Sequence, residues 1–286
     1  MGLQFQCPTC GSALMQHQAS QGFYCANKHH FDKNEAGYWI FTKPARQKPT
    51  GDSRQQVRAK RFLLESGIFS PLVEKMATML APHLKVDDCL LDYECADGFY
   101  LRALASALPN LTNELNVQYS GVADAENTIF AAAKAQTPAT LCLSTSKVLP
   151  FADNCIDLIT VVDKPLKGKE CVRVLKDQGL MLQVIPGARH LWQIRECIYP
   201  ELAEKTPQIN LPSGLIVKEQ QRLQFSLSVT GEQALVLLDM TPYAWRASEQ
   251  VKHLIRTRAF DVLEIDFVLV LAQKSLIESQ LAKIQN

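Results

Sequence analysis

At 286 residues, with 47% hydrophobic and 21% charged side chains, the chain can bury one large core and a smaller second one. Its 30 basic and 29 acidic residues exclude a polyelectrolyte, so any nucleic-acid surface must be local. No apolar run reaches membrane-spanning length, and the start MGLQFQCPTC lacks the charged-then-apolar order of a secretory signal, which points to a cytoplasmic protein with no membrane partner.

The chain reads as three parts: residues 1–42, 43–84 and 85–286. The first holds Cys7, Cys10, Cys25 and the pair His29 and His30, with Phe23, Tyr24, Phe31, Tyr38 and Trp39 as an apolar wall. It is too short for a self-sufficient core and needs either a metal or the rest of the protein. Cys-x-x-Cys, fourteen residues, then Cys-x-x-x-His supplies two ligands from each of two turns, the pattern of a closed tetrahedral zinc site. The expected ligands are Cys7, Cys10, Cys25 and His29, with His30 competing for the fourth place. The plain alternative is that Cys7 and Cys10 are free thiols and Cys25 is buried. The other six cysteines are scattered in or beside apolar runs and read as small buried hydrophobes.

Residues 43–61 carry Lys43, Arg46, Lys48, Arg54, Arg58, Lys60 and Arg61 against the single acid Asp52. Such a run either contacts phosphates or is a solvated linker. Gly51-Asp52-Ser53 ends the linker by capping a helix at Ser53, closed by Gly67, and a second helix follows from about 71 to 84. From there, strands at 89–93, 117–122, 140–144, 156–162 and 179–185 alternate with helices at 98–108, 124–135 and 167–176. That alternation predicts an α/β fold with a mainly parallel sheet covered by helices. A helix follows Pro186, residues 213–229 read ambiguously, a short helix lies in EQALVLLDM, and 262–272 is a late strand.

The order of these features resembles the bacterial ribosomal RNA large-subunit guanine-N1 methyltransferases over most of the chain. The similarity rests on the N-terminal metal motif, Gly51-Asp52-Ser53 with Ala59–Leu72, Leu149-Pro150-Phe151, Pro186-Gly187-Ala188-Arg189-His190-Leu191, and Met240-Thr241-Pro242-Tyr243-Ala244-Trp245-Arg246. It implies a class I, Rossmann-like methyltransferase sheet with a small zinc-binding RNA-recognition module. It also implies S-adenosylmethionine as cofactor, a hairpin of the large ribosomal RNA as substrate, and a homodimer.

The family's donor turn, Asp-Ile-Gly-Cys-Gly-Glu-Gly, matches Asp92-Tyr93-Glu94-Cys95-Ala96-Asp97-Gly98, so two of its three glycines are replaced. At the end of the second strand, where the family has an acid for the ribose hydroxyls, Ala123 stands at the matching place and Asp124 one step later. The cofactor positions implied by the resemblance are therefore Asp92, Glu94, Ala96, Asp97, Gly98, Ala123 and Asp124, several of them substituted. A weakened or altered pocket follows, and with it two alternatives to methyl transfer: a noncatalytic RNA- or ribosome-associated protein, or a protein-interaction module.

On the acceptor side, Arg189 and His190 lie in the loop after the fifth strand. Arg189 is the candidate to stabilise charge on a guanine O6, and His190 the candidate proton relay. The duller reading pairs Arg189 with an acid and uses His190 to cap a helix. Arg246, beside Trp245, joins Lys43, Arg46, Lys48, Arg54, Arg58 and Arg61 as the RNA-contact candidates.

Overall fold

The computed structural model describes residues 3–18, 20, 22–42, 51–112 and 116–275. The N-terminal module is an antiparallel sheet of β1 (Leu14–Gln16), β2 (Phe23–Cys25) and β3 (His30–Phe31), followed by β4 (Trp39–Ile40). Helix α1 (Arg54–Leu63) starts at Ser53, whose side chain accepts from the Gln56 amide while Gln56 answers with its own side chain, so two otherwise orphaned donors are satisfied. A wide turn at Leu64–Ile68, with Gly67 at φ +87°, redirects the chain into α2 (Ser70–Leu80).

The remainder alternates through β5 (Cys89–Asp92), α3 (Phe99–Ala107), β6 (Gln118–Ala123), α4 (Glu126–Lys134), β7 (Thr140–Leu143), β8 (Ile156–Val162), α5 (Glu170–Val174), β9 (Leu175–Pro186) and α6 (Trp192–Ile198). It closes with β10 (Leu215–Val229), α7 (Gly231–Asp239), α8 (Glu249–Arg256) and β11 (Phe260–Lys274). The large sheet has the order β10-β11-β9-β8-β5-β6-β7-β4. The neighbours from β4 through β9 are parallel, while β11 runs antiparallel to both β9 and β10. Numbered from β5 in chain order, the strands from β7 to β10 read 3-2-1-4-5-7-6, the class I methyltransferase sheet.

Alternation along β5 shows how both faces are covered. Leu90 packs into the cluster that holds Leu72, Leu101, Ile129, Ile194 and Leu237, from α2, α3, α4, α6 and α7. Cys89 and Leu91 point the other way, toward Phe23, Phe31, Trp39, Phe41 and Cys171. The N-terminal module therefore forms part of one cover of the sheet. Phe5 bridges them, its ring 4.6 Å from that of Phe23 and 5.5 Å from that of Phe151, and β4 extends the sheet beside β7.

Three segments differ from the sequence expectation. The helix expected at 167–176 is only five residues long, because Leu175 already begins β9 and pairs with Ile156. The ambiguous stretch is the edge strand β10, whose polar and apolar residues alternate because one face packs on the core through Leu223, Phe225 and Leu227 and the other is exposed. Helix α8 was not anticipated; it is eight residues long, and although Val251, Leu254 and Ile255 share one face, only Ile255 is buried.

Candidate functional site

Cys7, Cys10, Cys25 and His29 converge at the module's tip, their ligand atoms all within 4.8 Å of one another. Cys10 Sγ lies 3.7 Å from Cys25 Sγ, and His29 Nδ1 lies 3.5 Å from Cys7 Sγ and 3.4 Å from Cys25 Sγ. A tetrahedron with metal–sulfur bonds of about 2.3 Å has sulfur–sulfur edges of about 3.8 Å, so the four atoms fit one ion. Led by a hydrogen bond from the Asn27 side chain, the surroundings bring the Cys10 thiol down to about 5. Adjacent His30 belongs to β3, with its ring against Tyr24. The turn between Cys25 and His29, with Lys28 at φ +62°, selects His29 as the fourth ligand.

Where the sheet order reverses between β5 and β8, a crevice opens at the carboxyl ends of the strands, the place where such folds bind ligands. A cavity of about 1080 Å³ lies there, bordered by Glu94, Ala96, Asp124, Lys164 and Gln183, with a smaller one of about 130 Å³ beside Asp92 and Tyr100. The donor turn keeps a glycine-type path: Glu94, Ala96 and Gly98 have φ of +57°, +48° and +75°. Only Gly98 adopts that region without steric cost, and a Cβ on it would come within 2.7 Å of Thr137 Oγ1. The two replacements are thus L-residues held in a left-handed backbone.

Glu94 is fixed there by two other segments. Lys167 Nζ and Ser146 Oγ each donate to Glu94 Oε1 at 2.6 Å. Tyr93, which stands where the family has isoleucine, braces both partners: its hydroxyl donates to Ser146 O at 3.3 Å and accepts from the Lys167 amide at 3.1 Å. Lys167 follows β8 and Ser146 follows β7, so the bridge ties Glu94 to the loops after both strands, beside a cleft that Glu94 borders and Lys167 and Ser146 do not. The carboxylate raises the Lys167 ammonium above its ordinary value, and Asp124 lies 3.9 Å from that ammonium. A donor nucleoside lying across these strand ends would meet the Glu94 side chain at the border of the cleft. With side chains at Glu94 and Ala96, the turn does not fit S-adenosylmethionine in the close backbone approach that glycines serve.

The other donor-turn acids have partners within the fold. Asp92 is fully buried and accepts from Thr160 Oγ1 at 3.1 Å; burial pushes it up to about 7, against that hydrogen bond. Asp97 is paired with Arg61 Nε at 2.8 Å, and Arg61 also donates to Ala131 O at 2.6 Å. Ala123 is buried at the end of β6 and Asp124 is exposed just beyond it.

The loop after β9 is tied to β11 through Asp266, whose side chain accepts from Arg222 Nε and Nη2 and from the Arg189 amide, all at 2.8 Å. A Cβ on Gly187 would collide with that carboxylate, which explains the glycine. Arg189 pairs with Glu264 and Glu204 and covers the Trp192 ring at 4.0 Å. His190 is 4% exposed, lies against Phe267, and its Nδ1 accepts from the Asp266 amide at 3.4 Å. The histidine therefore reaches the small cavity but not the open cleft, whose borders do not include it.

Burial pushes His190 down to about 4 from 6.5, opposed by nearby Asp266. The unfolded chain then takes up a proton below about pH 6.5 that the folded chain refuses until about pH 4, so stability falls as pH drops through that window. We expect this residue to cost the wild type about 2 kcal/mol between pH 7 and 5, and urea titrations of His190→Asn to lack that share. Equal pH dependence in both proteins would refute the buried neutral imidazole.

A family model described as "RlmA, N-terminal" matches residues 5–49. YxjB of Bacillus subtilis (strain 168), provisionally named a 23S rRNA (guanine-N(1)-)-methyltransferase, is 24% identical over 94% of this chain and 97% of its own length. A 23S rRNA (guanine(748)-N(1))-methyltransferase of Streptomyces fradiae is 25% identical over 68% of this chain and 67% of its own. A provisionally named 23S rRNA (guanine-N(1)-)-methyltransferase of Micromonospora griseorubida is 25% identical over 84% and 86%. The chain is thus similar over most of its length to proteins named 23S rRNA (guanine-N1)-methyltransferases, and its N-terminal segment to the RlmA zinc ribbon.

Among the RNA-contact candidates, Lys43, Arg46 and Lys48 lie outside the described residues. Arg54 and Arg58 are exposed on α1, whereas Arg61 is turned inward. Arg246 covers the rings of Trp245 at 4.5 Å and Tyr199 at 5.8 Å, and Trp245 is 75% exposed. Neighbouring Thr241, Pro242 and Tyr243 border the large cleft. No helix among the described residues is long and apolar enough to cross a membrane. Sequence reasoning missed Lys167, Ser146, Asp266 and Arg222. The one available signal was Tyr93, a polar-tipped ring in place of an aliphatic family residue.

Proposed function

We propose that this chain binds large-subunit ribosomal RNA on a retained methyltransferase scaffold and does not transfer methyl groups from S-adenosylmethionine. The Glu94–Lys167 bridge carries the reading, because it fixes a carboxylate at the border of the crevice, on the turn where a donor would need close backbone approach. Similarity to proteins named 23S rRNA methyltransferases supports RNA as the partner. So does the exposed Trp245–Arg246 pair at the lip of the cleft, which offers an indole face for an unpaired base and a guanidinium for phosphate. The Cys7, Cys10, Cys25 and His29 cluster holds zinc in a structural role, since four protein ligands leave no open coordination position.

The test combines filter binding and methyl incorporation on an unmodified large-subunit rRNA transcript. We expect salt-dependent binding, weakened about tenfold by Trp245→Ala, and no incorporated methyl above a heat-inactivated control. Methylation of a guanine N1 by the wild-type chain would overturn the noncatalytic reading. Absence of RNA binding would overturn the RNA reading.

A further inference from the structure

On the side of the molecule formed by α1 and α4, a groove of about 430 Å³ runs between the helices. Phe62 projects beside it with 79% of its surface exposed, and Phe130 forms part of its wall at 36% exposure. An aromatic side chain that exposed gives up hydrophobic stabilisation, so its place next to a second ring calls for a partner. Arg54 and Lys134 lie 5.9 and 5.6 Å from the centre of the Phe130 ring, and Arg58 stands in the same groove. Among the described residues these three cations have no ion pair with an acid, in contrast to Arg61 and Arg102, which pair with Asp97 and Glu65.

We propose that this groove is a binding site for a single-stranded RNA segment, with a base stacked on Phe62 and the backbone phosphates led past Arg54, Arg58 and Lys134. Charge decides the occupant: exposed rings alone suit many partners, but rings interleaved with unpaired cations suit a polyanion that also has flat faces. The inference rests on the RNA reading above and adds a second surface to it, separate from the cleft and from Trp245.

The test measures binding of the full-length chain to a labelled twelve-nucleotide oligouridine over a range of salt concentrations, with the rRNA transcript alongside. Phe62→Ala should weaken oligouridine binding about tenfold, since the side chain is exposed and its loss leaves the melting temperature unchanged. Arg54→Gln with Arg58→Gln should lower the slope of log K against log salt by about 1.4, or about 0.7 for each phosphate that is no longer neutralised. If the wild type binds the transcript while these variants bind oligouridine as it does, the groove is not an RNA site and the proposal falls alone. If the wild type binds neither RNA, the RNA reading falls with it. Displacement of the oligouridine by an oligoglutamate peptide at equal charge concentration would assign the groove to an acidic protein segment and overturn the proposal.

Discussion

Changing Glu94 and Ala96 together to glycine is expected to turn a chain that gives no saturable heat with about 1 mM S-adenosylmethionine into one that binds it with a Kd of about 100 µM or tighter. That gain is at least about 1.4 kcal/mol of binding free energy. The backbone already follows the required path, with φ of +57° and +48° at these positions, so no rearrangement of the turn is needed. What changes is the content of the crevice. Removing the Glu94 side chain frees Lys167 and Ser146, and removing the exposed Ala96 methyl lets a ligand approach the main chain. Ala96→Gly alone should raise stability by about 1 kcal/mol, because glycine has no steric penalty at positive φ. Glu94→Gly gains the same relief but leaves a half-buried lysine with only Asp124 nearby, so its net effect on stability should be small. Isothermal calorimetry and urea titration on the three variants separate the two effects. A stable double variant with no donor binding would shift the cause to Ala123 and Asp124. Saturable binding by the wild type would defeat the obstruction argument itself.

Much of the fold was legible because its strands are continuous apolar runs in a sheet buried on both faces, as in Cys89–Asp92 and Ile156–Val162. The edge strand β10 was not, since a strand with one exposed face mixes polar and apolar residues as loops also do. The metal ligands were legible from spacing alone, but the choice of His29 over His30 needed the conformation of the turn. At the donor turn the sequence exposed the lost glycines and nothing of what replaced them. A non-glycine residue conceals a left-handed backbone, and Glu94's partner lies 73 positions along the chain. Arg61 shows the same limit in reverse. Its charge reads as one of seven in a basic run, while its guanidinium is turned inward to Asp97, 36 positions away.

Metal removal should have an effect well beyond the module that holds the ion. We expect chelation to release one zinc ion per chain, to lower the melting temperature by about 10 °C or more, and to shift Trp39 fluorescence to the red. The structural argument starts from β1–β3, whose short pairings cannot hold a fold without a staple; in isolated zinc modules the metal contributes about 10–16 kcal/mol of apparent binding free energy at neutral pH. Phe23, Phe31, Trp39 and Phe41 from this region pack against Leu91, Phe151 and Ile159 of the larger body, so loosening the module uncovers one face of the central sheet. Each kcal/mol is worth about 2–4 °C in a body of roughly this size, so loss of even a third of the metal's contribution accounts for the expected shift. Cys25→Ser should reproduce the chelated state, because Cys25 belongs both to the ligand cluster and to β2. A chain that keeps its melting temperature and the amide protection of Phe23–Cys25 after complete chelation would show that aromatic packing alone holds the module, with the metal a passenger on a preformed site.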